Sequence, residues 1–152
     1  PKILMLADKK SVATIEIGPE GKFSIDQKEN DYICHANHYV AEDMLNFNKK
    51  IGQSSEKRYE RIGQLLDNSS LPFSLDSFLN FSSDQNDGPD DSIFRSGSNP
   101  TKTRTMAVWA VAIPKQGSPE VYIKILNPNE EEKSCRIIAD DFFSAQAILN
   151  KI

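Results

Sequence analysis

Asp31-Tyr32-Ile33-Cys34-His35-Ala36-Asn37-His38-Tyr39-Val40 brings a cysteine, both histidines of the chain and an asparagine within a few residues of one another. The stretch closes a run of β-like sequence and precedes the first clear helical pattern. Strand ends that pass into loops are where folds commonly mount chemistry. Tyr32-Ile33-Cys34 reads as the start of a strand running into this stretch. On a strand, Cys34 and His35 would face opposite sides. A strand edge carrying incidental polar residues is the plain alternative.

Upstream, Ile3 to Ala7 is a short apolar run and reads as a buried strand. From Ser11 to Ile17 the chain alternates, with Ala13, Ile15 and Ile17 on one face and Val12, Thr14 and Glu16 on the other. Gly18-Pro19-Glu20-Gly21 supplies turn chemistry before Phe23 and Ile25 resume the alternation, which predicts a β-hairpin.

Downstream, a helix is expected from Ser55 or Glu56, with Ser55 as N-cap. Tyr59, Ile62, Leu65 and Leu66 share its apolar face, Arg58 and Arg61 stand beside it, and Asn68 and Pro72 end it. Leu75, Phe78 and Leu79 predict a short second helix from Ser74 to Phe81. Ser82 to Asp91 is a loop of turn formers without the spacing or terminal Glu of an EF-hand. Ser92-Ile93-Phe94-Arg95 is a short ordered patch.

Thr105 to Ile113 is apolar on both faces and predicts a central strand covered on both sides. Pro114 to Pro119 turns it back into Val121, Ile123 and Ile125, a second hairpin. Arg136-Ile137-Ile138 reads as an edge strand. Asp140 or Asp141 would cap a last helix carrying Phe142, Ala145, Ile148, Leu149 and Ile152. Sheet with helices outside it makes the expected class α+β, in one domain over residues 1–152 without internal repeats.

A chain of 152 residues, 38% apolar, suffices for one core. The net charge of -4 and pI near 5.2 argue against a nucleic-acid groove or an anionic membrane surface. The cations make no stripe, and no apolar run approaches the roughly 20 residues needed to span a bilayer. Cys34 and Cys135 are too few for a disulfide scaffold. Cys34, His35 and His38 lack the paired ligand clusters of a structural zinc site, so no metal and no cofactor are expected. The chain starts at Pro1 rather than Met, which points to further sequence upstream.

Taken by themselves, the residues offer little chemistry. There is no Gly-rich phosphate loop, Gly-x-Ser-x-Gly elbow or Cys-x-x-Cys pair. Cys34 beside His35 invites a thiolate–imidazole reading, but a base must reach its nucleophile, and strand neighbours face apart. An N-terminal proline such as Pro1 can act as a base in tautomerases, although nothing after it looks like one.

The order of several short segments does resemble something. Cys34-His35-Ala36-Asn37-His38-Tyr39 is similar to the His-Thr-Asn-His-Phe segment of the acyl-coenzyme A:6-aminopenicillanate acyltransferase family. Ser54-Ser55-Glu56-Lys57-Arg58-Tyr59-Glu60-Arg61 resembles that family's Ser-Ser-x-x-Arg-x-x-Arg helix. Ser92-Ile93-Phe94-Arg95 falls where the family tends to have Ser-Ile-Cys-Arg. Thr103-Arg104-Thr105 opens the Trp109 strand, and Asn127-Pro128 sits where a Gly-Asn-Pro-like tripeptide is usual. Ala36 stands in place of the family's Thr, and Phe94 in place of its Cys.

The resemblance implies an N-terminal nucleophile hydrolase, a four-layer αββα sandwich of antiparallel sheets with flanking helices. Such enzymes cut their own precursor to expose a cysteine that attacks an amide or acyl donor. By the resemblance, Asn37 takes the place of the side-chain donor in the oxyanion hole, and Arg104 that of an arginine near the nucleophile. His35 and His38 are further candidates. No nucleophilic Cys stands at the start of this chain, so it is expected to be the C-terminal part of a larger precursor, exposing an apolar face. Its expected partners are the N-terminal nucleophile-bearing segment and a small-molecule amide or acyl donor, with no nucleic acid and no membrane span. Phe78, Phe81 and Trp109 would suit an acyl pocket, though such aromatics commonly form core. A different class, a non-catalytic binding or scaffold domain that keeps the fold, is the alternative. A third reading makes Cys34 itself the nucleophile.

Overall fold

The computed structural model describes residues 2–126 and 130–142 of the chain. Strands β1 (Lys2–Ala7), β2 (Ser11–Ile17) and β3 (Phe23–Glu29) form one antiparallel sheet in that order. Strands β4 (Ala107–Ala112), β5 (Glu120–Ile125) and β6 (Lys133–Ile138) form a second, also in sequence order. Between them in the chain lie α1 (Gln53–Asp67), α2 (Leu75–Ser82) and the single turn α3 (Gly88–Asp91), and after them α4 (Ala139–Phe142). The class is α+β, two antiparallel sheets with flanking helices, as the sequence patterns predict.

Alternation decides what each face of the first sheet meets. Register pairs Glu16 with Ile3 and Ser24, and Thr14 with Met5 and Asp26. Glu16 and Thr14 are buried beneath the loop that follows β3 and beneath α1. The opposite face carries Leu4, Ile15 and Ile25 in one row and Ile17 and Phe23 beside them. Leu4, Leu6, Phe23 and Ile25 on that face are exposed, so the run Ile3–Ala7 is not the buried strand expected from its composition. β1 is the outer strand, and among the described residues no helix lies over this face to bury it.

The second sheet corrects a similar expectation. The apolar stretch around Trp109 forms an edge strand of the described sheet, with β5 in the centre. Trp109 is 74% exposed, and Val111 and Ile125 on the same face are exposed too. Helix α2 packs on β4. Arg136 of β6 donates to Asp76 of α2 at 2.8 Å. The described residues cover one side of each sheet and leave an apolar side open.

The small core lies on the helical side. Met44, Leu66, Phe81 and Tyr39 are its buried apolar residues. Phe73, Phe78 and Phe81 stack edge to face at 5.7 to 6.0 Å, a geometry worth about 0.5–1.5 kcal/mol per pair beyond burial. A 3-10 turn over Glu42–Phe47 places Met44 against Gly18, where a Cβ would come within 2.9 Å of the methionine methyl.

Helix α1 starts earlier than expected, with Gly52 as N-cap, so Ser55 lies in its first turn and is not its cap. Asn68 closes it. The acidic loop 82–91 contains α3, and its carboxylates serve the helices around it. Asp84 takes Arg61, Asp87 and Asp91 take Lys57, and Asp90 takes Lys102. Helix α4 begins at Ala139, ahead of Asp140. The rest of the expected last helix, like Asn127-Pro128, lies outside the described residues.

Helix α2, expected from Ser74 to Phe81, runs over Leu75–Ser82 with Ser74 as its N-cap. The Ser74 hydroxyl accepts from the Ser77 N–H at 3.1 Å, and Ser77 returns the bond to the Ser74 N–H. Ser74→Ala is expected to cost about 1 kcal/mol. Urea unfolding of the two proteins measures it, and an unchanged midpoint would show that the cap is redundant.

Candidate functional site

The stretch 31–41 is a loop and not a strand, which corrects the expectation for Tyr32-Ile33-Cys34. Its N–H groups are taken by side chains, so no neighbouring strand supplies partners. Asp31 accepts from the N–H of Tyr32, Ser55 from Asn37, Asn48 from Tyr39 and Glu16 from Val40. Four side chains thus do the work of a sheet ladder, and a loop results because they lie in different directions.

Glu16 is the hub. Its side chain is 1% exposed, and its Oε1 lies 2.6 Å from Nε2 of His35, itself 2% exposed. Oε1 also accepts from the Val40 N–H at 2.7 Å, and both oxygens receive the Ala41 N–H at 3.3 to 3.4 Å. His35 Nδ1 faces the Ala36 carbonyl at 2.9 Å. Both ring nitrogens therefore meet oxygen acceptors. A ring engaged on both sides has no free nitrogen with which to take a proton from a nucleophile, so the geometry gives His35 a structural role.

His38 is also buried. Its Nδ1 lies 2.8 Å from Ser55 Oγ, and its ring meets Tyr59 edge to face at 5.3 Å. Burial first, and then the neighbouring His35, hold its pKa below the ordinary imidazole value. Ser55 Oγ meanwhile accepts from the Asn37 N–H at 2.8 Å. A neutral His38 accepting from the hydroxyl completes this arrangement.

Asn37, in contrast, is exposed. Its Oδ1 accepts from Nη2 of Arg58 at 2.8 Å. A guanidinium only donates, so this contact turns the carbonyl end of the amide inward and the NH₂ end outward. Among the described residues nothing receives that NH₂. Arg104 lies across Gly97, where a Cβ would come within 2.8 Å of the arginine Cγ. Together with Arg95 it lines a cleft of about 210 Å³. No hydrogen bond among the described residues joins Arg104 to Asn37.

Cys34 lies apart from both. It is half-buried and lines a cleft of about 710 Å³ between the first sheet and α1, with Thr14, Tyr59 and Asp67. Burial, aided by Asp67, pushes its thiol pKa up. Neither histidine contacts it, since His35 holds Glu16 and His38 holds Ser55. Burial thus disfavours the Cys34 thiolate, the reverse of what activates a cysteine nucleophile. Nearby, Tyr32 donates to Asp67, which pushes the phenol up to about 12. The aromatics considered for an acyl pocket do not gather: Phe81 is in the core while Trp109 is exposed.

Four of the five similar segments meet in space, the fifth, Asn127-Pro128, lying outside the described residues. Asn37 of the first touches Ser55 and Arg58 of the second. Arg95 of the third is close enough for its charge to lower the Arg58 pKa, after burial, which is the larger cause. Arg95 and Thr105 bind each other at 2.9 Å through the Arg95 N–H to Thr105 Oγ1 and the Thr105 N–H to the Arg95 carbonyl. Sequence reading missed Glu16, Ser55, Arg58 and Arg95 as members of the site. The one local signal was Arg58 on the flank of its helix.

Two outcomes test this account. Glu16→Ala strips His35 and two N–H groups of their acceptor and is expected to cost about 3–5 kcal/mol. Urea unfolding measures it, and the His35→Ala double variant should cost much less than the sum. His38 binds its proton less readily folded than unfolded, so stability falls as pH drops below the ordinary imidazole range. Wild type should unfold at lower urea at pH 5.5 than at pH 7.5, and His38→Gln should shrink that difference.

No curated protein matches the chain at a significant level. A sequence model of a family described as acyl-coenzyme A:6-aminopenicillanic acid acyl-transferase does match, over residues 1–130. That span contains the Glu16 hub, Asn37, Arg58, Arg95 and Arg104, and it implies acyltransferase or N-terminal-nucleophile-hydrolase chemistry in general. The chain belongs to the acyl-coenzyme A:6-aminopenicillanic acid acyl-transferase family.

Proposed function

We propose that this chain is the C-terminal portion of a cysteine N-terminal nucleophile enzyme that cleaves a linear amide or transfers an acyl group. The observation that carries the reading is the Asn37 amide, exposed and held by Arg58 with its NH₂ outward. An oxyanion hole needs such a preset donor, because charge grows on the carbonyl oxygen only as the tetrahedral state forms.

In this reading a cysteine on a segment outside the chain is freed by self-cleavage. Its sulfur attacks the carbonyl carbon, and the Asn37 NH₂ donates to the developing oxyanion. The new α-amine carries the thiol proton to the leaving group, the C–N or acyl bond breaks, and an acyl-enzyme remains. Water or another amine then takes the acyl group and restores the thiol. Arg104 is assigned a place near that sulfur, where a cation favours the thiolate. Arg58 is a positioning residue acting through Asn37. His35 and His38 hold the loop and stay out of the chemistry.

The open apolar sides of both sheets support the presence of a covering segment. Among the described residues, Leu4, Phe23 and Ile25 on one, and Trp109 and Ile125 on the other, are large apolar side chains left exposed. The four-layer arrangement expected of the family would cover them.

The test begins with intact mass and N-terminal sequencing of the product of the full-length gene. Two fragments, one starting with Cys, are expected. A single uncut chain without such a Cys would overturn the reading. In the processed enzyme, Asn37→Ala should lower kcat roughly 100- to 1,000-fold without moving the unfolding midpoint. Arg58→Ala should lower kcat with little change in KM. Undiminished turnover in Asn37→Ala would remove it from the site.

A further inference from the structure

Helix α1 carries two arginines one turn apart whose situations differ completely. Arg61 is saturated by Asp84, which receives its Nε at 3.1 Å and its Nη2 at 2.7 Å. Arg58 reaches only the neutral Asn37 oxygen. Its Nε is buried and unpartnered among the described residues, and so is the Nε of Arg95, whose charge reaches Arg58. Among the described residues, neither guanidinium is in an ion pair, in a chain with more acidic than basic side chains.

Such an arrangement is unfavourable as it stands. Withdrawing a charged group from water costs free energy unless a partner replaces the lost solvation, and a like charge alongside adds to that cost. The acids nearest Arg95 do not relieve it. Glu132, at the mouth of the cleft that Arg95 and Arg104 line, is 2.8 Å from Lys124, and Glu130 is 3.6 Å from Lys133. The Arg95 backbone, meanwhile, is pinned on both sides by Thr105, so the side chain cannot easily withdraw to solvent.

We infer that Arg58 and Arg95 form a carboxylate-binding site beside Asn37, with the cleft at Arg95 as its entrance. A carboxylate fits because its two oxygens match the guanidinium fork and its charge offsets the paired cations. The inference rests on the two buried, unpartnered guanidinium nitrogens and does not depend on acyl transfer. The same chemistry has two sources, a diffusible carboxylate or an Asp or Glu from polypeptide outside the described residues.

Thermal unfolding of the full gene product, wild type and Arg95→Gln, separates them. Acetate is titrated against chloride at constant ionic strength. A saturable rise in the wild-type Tm that is lost in Arg95→Gln identifies a diffusible carboxylate. If acetate has no effect, the comparison is repeated across pH. A polypeptide carboxylate held by Arg95 has a lowered pKa, so the stability it adds is present above the ordinary carboxylate range and lost below it. Wild type should then be the more stable protein at pH 7, with the advantage vanishing on acidification. Acetate without effect, together with Arg95→Gln as stable as wild type or more so at every pH, overturns the inference. Should Arg95→Gln fail to fold, Arg95→Lys keeps the charge but not the fork, and the acetate rise or the pH-dependent advantage must shrink in it.

Discussion

A single buried carboxylate organises the site side of this protein. Glu16 sits on the polar face of β2, 1% exposed, and gathers an imidazole and two backbone N–H groups from a loop about twenty residues downstream. A buried carboxylate left without partners is among the least favourable groups a fold can contain, so the loop must close over it in one way. Once His35 is drawn down to Glu16, His38 falls against Ser55, and Asn37 between them is left pointing to solvent. The exposure of Asn37 follows from the burial of its neighbours.

The second constraint is that segments far apart in the chain must share one small volume. The 31–41 loop, the first turns of α1, the Ser92–Arg95 patch and the segment leading into β4 are tied by hydrogen bonds from side chains. Ser55 binds Asn37, Arg58 binds Asn37, and Thr105 binds Arg95. Ser92, fully buried, fixes the patch by accepting from the Asp87 N–H and donating to the Gly88 carbonyl. The acidic loop before it serves as the anionic counterpart of α1. This explains why it is rich in Asp without spacing that suits a cation. Among the described residues, the polar side of the fold is therefore tightly specified while its apolar sides remain open.

Much of the local structure was legible because it depends on neighbours in sequence. Alternation over Ser11–Ile17 and Phe23–Ile25 predicts the first hairpin, and Val121–Ile125 the second, since period-two patterns have few other solutions. Leu75, Phe78 and Leu79 mark the second helix, observed over Leu75–Ser82. Where the reading failed, the cause was a partner distant in sequence. Tyr32-Ile33-Cys34 has strand composition, but side chains from β2, α1 and the 3-10 turn claim the backbone that follows. Thr105–Ile113 has the composition of a strand buried on both sides, yet it lies at an edge with Trp109 in the open, because composition reports what a strand could be covered by and not what is there.

By itself, the sequence determined the class, the two hairpins, the second helix, most of the first and the family, because these are written in short-range periodicity and in segments that can be matched one at a time. Tertiary structure alone decided the roles. Nothing local distinguishes Arg58 from Arg61, or His35 from His38. An arginine becomes a clamp for an amide or half of an ion pair according to whether a carboxylate arrives from elsewhere, and Asp84 reaches one but not the other. Charge and hydrogen-bond satisfaction are properties of a filled volume, and the chain reveals them only when it folds.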